Sequence, residues 1–85
     1  MHKKKGRTAK RATELMHHDD YRTKVAVRDA LGLTDRQREI YDLRVLRGWK
    51  LYDIAAELDV SYSVACKESM EITAKIQRYF DSPIR

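Results

Sequence analysis

From Thr34 onward the chain sets its apolar residues at helical spacing. Ile40, Leu43 and Leu46 follow at steps of three, flanked by Tyr41 and Val45, the pattern of a helix with one side turned to a core. Thr34 and Gln37 form a capping box, in which each side chain satisfies a backbone N–H of the first turn. Leu33 stands one residue before the cap, placed to staple against the following turns. Asp35 and Glu39 favour the positive end of this helix, Arg44 and Arg47 its negative end, and Gly48 closes it. A second, short helix is predicted over about Leu51 to Leu58, with Leu51, Ile54, Ala55 and Leu58 at relative positions 0, 3, 4 and 7. Asp59-Val60-Ser61 leaves room only for a tight turn. Ser61 then caps a third helix from about Tyr62 to Phe80, with Ala65, Ser69, Ile72 and Ile76 inward. Asp81-Ser82-Pro83 ends it.

Upstream, Asp19 and Asp20 are N-cap candidates for a helix from about Tyr21 to Leu31. Its apolar positions are Val25, Ala26, Val27, Ala30 and Leu31, and Gly32 supplies the left-handed stop. Thr8 to His18 carries a weaker pattern, Ala9, Ala12, Leu15 and Met16 on one side, compatible with helix or coil. Residues 1–12 are rich in Lys and Arg around Gly6 and read as a flexible basic arm. No run alternates apolar and polar residues long enough for a strand. The expected architecture is all-α: a small bundle of three to five helices, with residues 13–85 as one domain and its core within 33–80.

Hydrophobic residues make up 42% of the 85 and charged residues 36%. No apolar stretch approaches the ~18 residues that a membrane span requires. Lys3, Lys4 and Lys5 open the chain without the apolar segment of a signal peptide, and the single Cys66 has no internal partner. These features predict a cytoplasmic protein with no membrane association. His2, His17 and His18 are a poor metal set, because adjacent helical residues point about 100° apart and no Cys pair supports them. Neither a metal nor a cofactor is expected. The chain has no Gly-rich phosphate loop and no nucleophile–base spacing, so it is not expected to be an enzyme.

The net charge of +5 is unevenly spread. Residues 1–12 hold six bases and no acid, whereas the remaining 73 hold twelve bases and thirteen acids. The body is close to neutral, and the arm carries the electrostatic attraction to polyanions.

Two helices joined by three residues make a helix-turn-helix. Ala55 and Ala56 are expected to let the pair pack closely, Val60 to plug the turn, and Ser61 to start the second helix outward. Such a helix fits a major groove about 12 Å wide. The run Leu33-Thr34-Asp35-Arg36-Gln37-Arg38-Glu39-Ile40, then Gly48, Ile54-Ala55, Leu58, Val60-Ser61, Ile72 and Lys75-Ile76, resembles the DNA-binding domain of LuxR/GerE-type regulators. It is equally similar to region four of bacterial sigma factors. The resemblance covers about residues 33 to 78. It implies that Tyr62, Ser63, Cys66, Lys67 and Met70 face bases, and that Lys50 and Tyr52 face phosphates. The chain departs from those families in placing Lys50 where they carry a Ser or Thr cap. It also offers Lys67 alone, followed by Glu68 and Glu71, where their reading helices are rich in bases and amides.

Several residues have a plainer reading. Lys67 has an alternative partner in Glu71, four positions on. Trp49 is expected to pack over the turn, Tyr41 and Tyr79 to edge the core with wet hydroxyls, and Cys66 to be an unreactive small residue. In the arm, Lys3, Lys4, Lys5, Arg7, Lys10 and Arg11 can each displace counterions from a phosphate. The expected partner is double-stranded DNA and the expected role transcription regulation, the protein pairing as a homo-oligomer, in the first instance a dimer. The alternative is an interaction module for RNA polymerase, a sigma factor or a phage packaging assembly.

Overall fold

Most of the helices begin at a side chain that accepts one of their unpaired amide N–H groups. The computed structural model describes residues 14–17 and 19–81. Helix α1 spans Tyr21–Leu31; the Asp20 carboxylate accepts the Thr23 N–H at 2.8 Å, and Gly32 stops the helix at φ 67°. Helix α2, Asp35–Tyr41, carries the expected capping box. Thr34 Oγ1 accepts the Gln37 N–H at 3.2 Å, and Gln37 Oε1 accepts the Thr34 N–H at 3.3 Å. Helix α3 is Leu51–Leu58 and helix α4 is Tyr62–Asp81. Residues 14–17 are also helical, and no strand occurs among the described residues. The molecule is an all-α bundle containing a helix-turn-helix. The rest of the expected Thr8–His18 helix, the arm, and Ser82-Pro83 lie outside the described residues.

Every element sends side chains into one core. Leu15 comes from the 14–17 segment, Val27 from α1, and Ile40, Tyr41 and Val45 from α2 and its continuation. Ile54 of α3 and Ile72 and Ile76 of α4 complete it. The Lys24 ammonium donates to the Met16 carbonyl at 2.9 Å and ties the 14–17 segment to α1. Of the apolar positions expected on α1, Val27 alone is buried; Val25 and Leu31 are half-buried, Ala26 and Ala30 exposed.

The helix expected to run unbroken to Gly48 is not α-helical throughout. After Tyr41 it widens into a π turn, Asp42–Leu46, whose Arg47 N–H donates to the Asp42 carbonyl at 3.1 Å. Side-chain registry explains the change. Arg44 lies four residues after Ile40 and three after Tyr41, both fully buried. A straight α-helix would therefore carry Arg44 onto the buried stripe. The extra residue of the π turn brings Val45 inward instead and moves Arg44 aside, where it is half-exposed. Gly48 at φ 75° then reverses the chain, and the Trp49 N–H donates to the Leu43 carbonyl at 2.9 Å.

Two further expectations need correction. Tyr41 has no exposed surface, and its hydroxyl donates to the Lys24 carbonyl at 2.6 Å instead of meeting water. Burial this deep removes solvent as a partner, and raises the phenol pKa above its ordinary range. Ala56 is exposed and does not help to seat α4; Ala55 alone is buried there.

Candidate nucleic-acid interface

The turn between α3 and α4 is built from three residues. Asp59 takes the left-handed conformation at φ 57° and ends α3, Val60 is half-buried, and Ser61 accepts the Val64 N–H at 3.2 Å. The Val60 N–H returns to the Ala55 carbonyl at 3.0 Å, which locks the reversal. Behind the turn, Ile54, Ala65 and Ile72 hold α4 to the core. The other side of its first turns is exposed at Tyr62, Ser63 and Lys67.

On this outward side the expected base-facing residues come together. Tyr62 (45% exposed), Ser63, Lys67 and Met70 (72%) are all exposed, and Cys66 is half-buried among them. Lys67 has no ion-pair partner among the described residues. Glu71 accepts from Gln37 Nε2 at 3.0 Å instead, and Glu68 accepts from the same nitrogen at 3.1 Å. Gln37 is buried, and its Oε1 also accepts from the Lys75 ammonium at 2.9 Å. The two carboxylates that set this helix apart from base-rich ones are thus anchored toward α2, with a cation beside them.

Tyr52, from the first turn of α3, stacks on Tyr62 with ring centroids 4.6 Å apart and planes 23° from parallel. The residue expected to face phosphates and the one expected to face bases therefore form one exposed aromatic step. The Tyr62 phenol pKa is raised, chiefly through the Cys66 side chain, with Arg44 nearby pulling in the opposite direction. Lys50 occupies the N-cap position of α3 and makes no side-chain cap, as the departure from Ser or Thr implies. Trp49 is half-buried and packs against the core. Lys3, Lys4, Lys5, Arg7, Lys10 and Arg11 lie outside the described residues.

Three features have no simple signal in the sequence. The Tyr52–Tyr62 stack needs the α3–α4 crossing geometry. The Gln37 cluster joins residues more than thirty positions apart. Arg44 and Arg47 read in sequence only as favourable charges at a helix end, yet with Lys50 they line a cleft of about 420 Å³ beside Trp49. The sequence clue to that cleft is an arginine at a position where α-helical spacing calls for an apolar residue.

No family model matches the chain, and comparisons with curated proteins and with solved structures return no match. No helix among the described residues is long and apolar enough to cross a membrane.

Proposed function

We propose that the protein is a DNA-binding regulator of transcription that inserts the start of α4 into the major groove. Tyr62, Ser63, Lys67 and Met70 meet base edges, Cys66 sits at their margin, and Lys50 and Tyr52 approach the flanking phosphates. The observation that carries this reading is the open edge of α4, with Tyr62, Ser63 and Lys67 exposed on one side and the opposite side held by the core. A projecting, rigidly backed helix start is the shape that reads a groove. The basic arm adds sequence-independent attraction through counterion release. Its six bases contribute to affinity without choosing a site. Two copies acting together extend the short stretch that one helix can read, with half-sites one helical turn apart.

Retention of duplex fragments, measured by gel shift, tests the reading beside a pull-down of RNA polymerase and sigma factor. The expected result is duplex retention that weakens steeply as salt rises. Salt-resistant capture of polymerase or sigma factor with no duplex retention would favour the interaction module and contradict the proposal.

A further inference from the structure

The cleft beside Trp49 gathers four cationic side chains from three parts of the chain. Lys24 comes from α1, Arg44 and Arg47 from the π turn and its end, and Lys50 from the start of α3; His17 lies at its edge. Arg44, Arg47 and Lys50 have no ion-pair partner among the described residues, whereas Arg28 pairs with Asp29 and Asp42. Among the described residues no acid lines this cleft; Asp53 lines an adjoining recess with Gly48, Trp49 and Lys50. The Arg44 charge also acts on the phenol of Tyr62, at the exposed start of α4.

The π turn adds an independent argument. A regular helix would be the simpler way to complete the buried stripe, had position 44 been apolar. Instead the chain keeps an arginine there and widens the helix to hold it at the cleft. Single π turns of this kind often mark functional positions.

We propose that this cleft, through Arg44, Arg47 and Lys50, grips phosphodiester groups of duplex DNA along the strand beside the groove that α4 enters. The assignment rests on the DNA-binding reading above and extends it to a second binding surface, reaching from the end of α2 to α1. Arginine suits the role, because its planar fork matches phosphate oxygens and its charge survives every accessible pH. Such contacts set register and affinity and carry no base preference.

The test is fluorescence anisotropy with a labelled short duplex across a salt series. It compares the native protein, Arg44→Leu, the combined Arg44→Leu/Arg47→Ala/Lys50→Ala variant, and Arg47→Glu at an exposed position. Thermal melts run in parallel. The combined variant should bind every duplex sequence more weakly, and its log–log salt slope should fall by about 0.9 for each phosphate no longer neutralised. Arg44→Leu should melt no lower than the native protein, because leucine suits the buried stripe, while binding DNA more weakly. Arg47→Glu should weaken binding with the fold intact. If the native protein binds duplex but the combined and Arg47→Glu variants keep its affinity and slope, the cleft assignment fails and the α4 reading stands. If the native protein binds no duplex, both fail. Equal competition by inorganic phosphate against the native and combined proteins would also overturn the cleft as the phosphate site.

Discussion

A fully buried tyrosine cannot leave its hydroxyl to water, and Tyr41 solves this by donating to the Lys24 carbonyl across the α1–α2 interface. Tyr41→Phe should therefore cost about 1 kcal/mol, the usual net worth of one such bond, read as a shift in denaturant midpoint at unchanged slope. No loss would show the bond to be incidental. Sequence places this phenol only at the edge of the core, because its burial depends on where α1 lies and not on neighbours along the chain. Asp20 is legible, because a cap acts on its own first turn. Its pKa lies below the ordinary 3.8, chiefly through the hydrogen bond with Thr23. A depressed carboxyl contributes stability above its unfolded pKa and loses it as pH falls through the folded value. Asp20→Asn keeps a capping oxygen without titrating. The melting-temperature advantage of the native protein over Asp20→Asn should shrink as pH drops below the ordinary aspartate range. A gap constant with pH would contradict the assignment.

At the scale of elements, the capped starts and the three-residue turn are readable, since each depends on a few adjacent residues. Ser61→Ala should lower stability by about 1 kcal/mol, because the Val64 N–H loses its acceptor at the start of α4. Asp59→Gly should raise stability by about 0.5 kcal/mol, since a glycine adopts the left-handed conformation at φ 57° with less strain. Denaturant titration of both variants checks the pair; an unchanged Ser61→Ala or a destabilised Asp59→Gly would contradict this geometry of the turn. The π turn is not readable from hydrophobic spacing alone. Leu43 and Leu46 fit an α-helix well, and the conflict emerges only when Ile40 and Tyr41 are both seen to be buried, since α-helical spacing would then carry Arg44 inward. Ala56 misleads for a similar reason. A small residue permits close packing, but which of two neighbouring alanines faces the partner depends on the crossing of α3 and α4.

Across the whole molecule, the near-neutral body conceals an uneven surface. Glu68 and Glu71 are anchored to Gln37, and Asp29 and Asp42 to Arg28. Arg44 is half-exposed and Arg47, Lys50 and Lys67 are exposed, none with an ion-pair partner among the described residues. A net charge summed over the sequence cannot express that sorting, since it arises from the packing of distant elements. Long-range attraction would come from the arm and the cleft, and discrimination between sequences from α4. The most direct test is selection of bound duplexes from a randomised pool, followed by affinity measurement of the native protein and Lys67→Ala on the enriched site. A recurring motif should emerge, and Lys67→Ala should bind it about fivefold more weakly, roughly 1 kcal/mol. A pool that yields no motif, with Lys67→Ala binding as well as the native protein, would contradict groove reading by α4.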